Sequence, residues 1–221
     1  MATALSTPTA LFEAGHLSYD SPSSQSKFRF GSSLEAHVSP ISFALETAAA
    51  STISEVIDRN LCPTPLIPTD SYDERRFGRS LFSNIFRPAP ELPSRDAVKL
   101  YFLNACRRAH FQVASVVSVV VLFERIAKQV PVHSCNWRII LLLTILIAQK
   151  VIDDISLGTN QMPELFRAAC QDSASTFSLR TKDIIRLELN LLATSKYDVA
   201  IDSDAWDRCF LALQSKMSIG L

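Results

Sequence analysis

Glycine is scarce, with 5 in 221 residues. A loop that cradles phosphate needs glycines at fixed spacing, and neither GxGxxG nor GxxxxGK(S/T) occurs. That absence argues against a nucleotide-binding enzyme. It fits a helical fold, because β-rich folds use many glycine turns. A surplus of either charge is also missing: Lys plus Arg total 22 and Asp plus Glu total 22. Nucleic-acid modules show a basic excess, so no nucleic-acid partner is expected. The five cysteines (Cys62, Cys106, Cys135, Cys170, Cys209) come no closer than 29 residues apart, so there is no CxxC. The four histidines form no HxxxH pair. This usage reads as a reduced intracellular protein with buried thiols, no metal site and no cofactor.

Long apolar runs are lacking too. The longest, Val113–Phe123 and Ile139–Ala148, fall short of the ~20 residues that span a bilayer. No basic segment followed by an apolar run opens the chain, and Ala2 leaves no site for N-myristoylation. The expected location is cytoplasmic, nuclear or both, with peripheral membrane association left open.

What is present is enough apolar material, 48%, to build a core. Residues 1–54 differ from the rest, holding 12 Ser, 5 Thr and 3 Pro against 2 basic and 4 acidic side chains. They read as a mostly disordered tail. Across its end, Ala44–Ile57 carries a partial helical period, which predicts one short helix. Residues 55–91 continue into a proline-rich connector. Pro63, Pro65, Pro68, Pro88 and Pro90 interrupt any helix there, and Pro93 lies just beyond. Within it lies a basic stretch, Arg75–Arg79, that reads as a solvated linker or a receiver for a phosphate.

Residues 92–216 are regular. Ser94 suits an N-cap, with Asp96 in the first turn of a helix to about His110. A second apolar segment runs from Gln112 to Gln129. Its valines favour a strand, but its length without Gly or Pro decides for a helix. A third runs from Ser134 to about Asp154, apolar on every face around Ile139–Ala148 except at Thr144; such a helix sits inside a bundle. A short helix from Pro163 to Cys170, one capped by Ser178 and one from Asp204 to Lys216 follow. The expected fold is all-α, a bundle around one buried apolar helix. Residues 217–221 form the C-terminal end.

The third helix begins Asn136-Trp137-Arg138-Ile139-Ile140 and ends Leu146-Ile147-Ala148-Gln149-Lys150-Val151-Ile152-Asp153-Asp154. This resembles the central helix of the cyclin box, most of all that of cyclin Y and the related phosphate-response and U-type cyclins. Phe123-Glu124-Arg125 is similar to the end of that family's second helix. Arg186-Leu187-Glu188-Leu189-Asn190-Leu191-Leu192 is similar to its fifth, and Tyr197-Asp198-Val199 to the stretch after it. The resemblance covers Leu92 to Gln214. It implies a non-catalytic subunit that binds a cyclin-dependent kinase as a heterodimer and holds the kinase's regulatory helix inward. On the same resemblance, Lys150 and Glu188 would hydrogen-bond the kinase, and Ile147, Val151 and Leu192 would line the groove. The alternative is a cyclin-fold adaptor for a partner that is not a kinase.

The sequence departs from the family at Gln149, where a small residue is common. It departs again at Ile152, where cyclin Y-like chains often carry Trp, and in lacking a Met-Arg-Ala-Ile-Leu motif in the first helix. Asp153 and Asp154 point about 100° apart on a helix and read as capping or solvated acids, not an acid–base pair. His133 and Cys135 lack a third group for catalysis. No catalytic residue is expected. Thr7, Ser21, Ser39 and Thr64 precede proline, and Ser32 follows Arg29; these are minimal phosphorylation sites.

Overall fold

The computed structural model describes residues 40–65, 70–77, 92–152, 158–170 and 179–219. They belong to one compact unit, Val38–Leu221. The described residues are all-α, with seven α-helices and no strand. The helices are α1 (Pro40–Asn60), α2 (Arg95–Ala109), α3 (Val113–Ala127), α4 (Trp137–Ile152), α5 (Met162–Cys170), α6 (Thr181–Thr194) and α7 (Ser203–Ile219). A single 3-10 turn, Glu74–Phe77, lies between α1 and α2.

The local signals account for several ends. The Ser94 side chain accepts from the Ala97 amide and opens α2. His110, left-handed at φ 50°, closes it, its N–H donating to Cys106 O. At α6 the cap differs from expectation: Ser178 lies outside the described residues, and Asp183 accepts from the Arg180 backbone and guanidinium instead. Burial opposes the Asp183 charge, yet the Arg180 hydrogen bonds outweigh it and hold the carboxyl below its usual value. Ser134 precedes α4, which starts at Trp137.

α4 is buried from Ile139 through Gln149, as an all-round apolar helix must be. It does not hold the centre alone. α3 is buried over Ser115–Val120 and again at Leu122, Phe123, Ile126 and Ala127, so two helices share the middle. α4 packs against α3, α5 and α6, while α3 also meets α1 and α7.

Two organisational expectations need correction. The boundary between residues 54 and 55 falls inside α1, and the helical domain begins at Pro40, not at 92. Leu45, Ala49, Ala50, Ile53, Val56 and Ile57 are all buried, and α1 packs against α2, α3 and α7. Its small residues let it lie close to its neighbours, and burying Leu45, Ile53 and Ile57 contributes about 1.5–3 kcal/mol each before entropy is counted. At the other end, α7 continues past Lys216 to Ile219. The rest of the tail lies outside the described residues.

The connector is the second correction. Residues 61–65 and 70–77 form a strap over the buried α3–α4 loop, where Val130 and Val132–Asn136 are all buried. A buried loop must find partners for its peptide groups. The strap supplies them: Cys62 N donates to Val132 O (2.7 Å) and Glu74 N to Cys135 O (2.7 Å). The Asn136 side chain serves two more, its Oδ1 accepting from His133 N and its Nδ2 donating to Pro131 O, and Nδ2 also reaches Asp70. Arg75 is 4% exposed, so it is no phosphate receiver. Its guanidinium grips the buried Asp73 carboxylate (2.6–3.2 Å) and the Pro65 carbonyl (2.8 Å).

Candidate protein-binding face

Lys150 and Glu188 meet. α4 stays buried through Gln149 and then surfaces, so the Lys150 stem packs while its ammonium reaches outward. α6 buries Ile184, Leu187 and Leu191 toward the core, and Glu188 lies beside that stripe. Lys150 Nζ donates to Glu188 Oε1 at 2.6 Å. The side chains are 38% and 10% exposed respectively, so the carboxylate is sunk and the lysine covers it from the solvent side.

Around the pair the surface is apolar. Val151 is 43% exposed, Ile185 45% and Leu189 55%, and half-buried Leu192 rests on the core. Ile185 and Leu189 stand four apart on the outer face of α6, among exposed Lys182, Arg186 and Asn190. A solvent-facing stripe has no folding reason to be apolar there. The groove residues expected from the sequence did not include these two. The signal was present in the chain, as apolar positions lying off the buried stripe. Ile147, by contrast, is buried in the core and presents no surface on the isolated chain.

A second juxtaposition braces this face. Arg125 on α3 donates to Asp198 Oδ1 (3.0 Å), Asp198 O (3.1 Å) and Ala200 O (2.8 Å). Lys196 and Tyr197 are both left-handed, φ 54° and 59°, an uncommon conformation for side-chain-bearing residues. The Arg125 contacts fix the chain just beyond that turn and set how it leaves α6.

The strap holds the remaining chemistry-bearing side chains. Asp73, His133 and Cys135 place ligand-type atoms within 4.8 Å of one another. The cation position there is already taken by the Arg75 guanidinium, which engages both Asp73 oxygens. His133 Nδ1 accepts from the Cys135 amide, so Nε2 carries the proton and donates to Asp70. Burial works against the Asp70 charge, but His133 and its other donors prevail and lower its pKa. Burial pushes the Cys135 thiol up to about 11, against the pull of Arg75, which leaves no thiolate for nucleophilic work. Burial likewise lifts Glu74 to about 7, opposed by Arg138, whose Nη1 lies 3.3 Å from Oε2.

Of the expected phosphorylation sites, Thr7, Ser21, Ser32 and Ser39 lie outside the described residues, as do Asp153 and Asp154. Thr64 is half-buried, and its hydroxyl bonds the Ser134 hydroxyl at 2.7 Å. A phosphate there would part strap from loop. No described helix is long and apolar enough to cross a membrane. No protein-family model, curated protein or solved structure matches the chain.

Proposed function

We propose that the chain is a cyclin-like regulatory subunit that binds a cyclin-dependent kinase through the α4–α6 face and activates it. One observation carries the reading: Lys150 and Glu188, the two positions singled out by the cyclin resemblance, pair at 2.6 Å inside an exposed apolar surround. An amphipathic helix docks where an apolar strip is flanked by a few polar anchors that set register. Val151, Ile185, Leu189 and Leu192 supply the strip, and the ion pair supplies the anchors. Such a subunit needs no chemistry of its own and acts where its kinase does, in the cytoplasm or nucleus.

The second reading is an adaptor that keeps the fold but serves a partner other than a kinase. It is favoured by the burial of Ile147, which deprives the groove of one expected wall, and by Gln149, whose buried Oε1 has no partner.

The test is a double substitution, Lys150→Ala with Glu188→Ala. Removing both partners leaves no lone buried carboxylate, so the fold should persist with an unchanged melting temperature. Kinase co-purification from cells should fall by about tenfold or more, in line with loss of a charge-assisted anchor. A kinase that still co-purifies and stays active with the double variant removes the site assignment. If the recovered stoichiometric partner is not a kinase, the adaptor reading takes over.

A further inference from the structure

A concavity lies away from Lys150 and Glu188, among α1, α3 and α7. It is a groove of about 540 Å³ with an apolar floor that includes Val120, Val121, Ala212 and Leu213. Its rim carries Arg125, Lys128, Arg208 and Lys216 against one acid, Glu124, a surplus of three positive charges in a chain whose net charge is zero. Cys209 adds no charge, since burial pushes its thiol up to about 11.

Not all of that charge is available. Arg125 is committed to Asp198, and Lys216 to Glu55 at 2.7 Å. Glu124 is shared between Lys128 (3.5 Å) and Arg59 (3.9 Å). Arg208 is exposed and makes no ion pair among the described residues. The unspent positive charge therefore sits on Arg208, with Lys128 only partly matched because it shares Glu124 with Arg59; both line an apolar trough.

We propose that this groove binds an acidic segment of a partner protein that seats one or two apolar side chains on the floor and sets its carboxylates against Arg208 and Lys128. Charge complementarity selects the occupant. A basic or neutral segment would leave Arg208 unmatched and Lys128 sharing its acid, whereas an acidic one satisfies both and gains apolar burial at the same time. A small anion would use the rim and leave the floor wet. The groove shares no residue with the α4–α6 face, so one chain can hold two partners at once.

Short random peptides displayed against the full chain provide the test, with binding of the enriched peptides measured by fluorescence anisotropy. The expected peptides carry Asp or Glu around a Leu, Val or Phe anchor. They should bind the Arg208→Glu, Lys128→Glu double variant about tenfold or more weakly, and bind more weakly as salt rises. They should also lose binding to Ala212→Trp, which fills the trough. Both variants should melt where the parent chain does, because Arg208, Lys128 and Ala212 are exposed. Enriched peptides without acids, equal binding to the charge-reversed chain, or no peptide sensitive to Ala212→Trp would each overturn the proposal. So would competition by sulfate alone at equal strength. So would a dimer of the parent chain that charge reversal dissolves, since the occupant would then be a second copy. Kinase co-purification is read in parallel and should be unchanged by all three substitutions, which keeps this result separate from that of the α4–α6 face.

Discussion

Glu74 is a buried acid whose charge changes within the ordinary pH range. Burial raises its pKa from 4.5 to about 7, so the folded chain holds a proton there that the unfolded chain has released. Stability from this group is fully present below pH 4.5 and is lost as pH rises to about 7. Asp70 and Asp183 are shifted the other way, and their contribution fades only below their ordinary pKa, so it does not overlap this window. Glu46 is raised by burial and acts in the same direction, so the informative quantity is a difference between variants. Glu74→Gln should flatten the decline in melting temperature between pH 5 and 7.5, removing a change on the order of 1–3 kcal/mol. An identical pH profile in parent and variant would show that the Glu74 carboxyl does not titrate in that range. Residue-scale chemistry at the strap was the least legible part of the sequence. The Arg75–Arg79 stretch read as solvated linker because charged residues are rarely buried unless paired. Here Arg75 is paired with Asp73, and the neighbouring Glu74 meets Cys135 and Arg138, which lie far along the chain. Lys150 and Glu188 were legible through a pattern spread over two helices. Ile185 and Leu189 were visible in the sequence as apolar positions off the buried stripe of α6.

Helices announced themselves to the degree that their own residues decide them. α2 has a serine cap, an acidic first turn and a one-sided apolar stripe, and its ends fall where those signals put them. α4 is apolar enough that nothing but a buried helix could use it. α1 is the opposite case. Its alanines, serines and threonines weaken the amphipathic signal, so the sequence showed a short helix at Ala44–Ile57, inside the observed Pro40–Asn60, but not its place in the core. What holds it is contact with α2, α3 and α7, which no local window contains. If α1 belongs to the core, Ile53→Ala should cost about 2–5 kcal/mol in denaturant unfolding, the usual range for a fully buried isoleucine. A helix merely resting on the domain would lose well under 1 kcal/mol.

At the scale of the whole molecule, the described core residues all fall within Val38–Leu221. The piece 38–221 is expected to fold with a single cooperative transition. The piece 61–221, which lacks α1, should give a broadened transition or none, because the faces of α2, α3 and α7 that pack on α1 would meet water. Both outcomes are read by circular dichroism on heating. The all-α class was legible from the first count of glycines and prolines, since class follows from composition and period. The closure of the chain on itself was not, because it depends on residues near opposite ends finding one another.

That closure has a consequence for how the protein is made. Glu55 on α1 and Lys216 on α7 pair across 161 residues of chain. A ribosome adding about 5–20 residues per second takes roughly 8–30 s to travel between them. From the completion of α3 at Ala127 until α7 is made, the flank of α1 and α3 that α7 will cover stays open, including the site where Leu213 comes to rest. That flank is therefore sealed only once α7 has been made and has packed on α1 and α3.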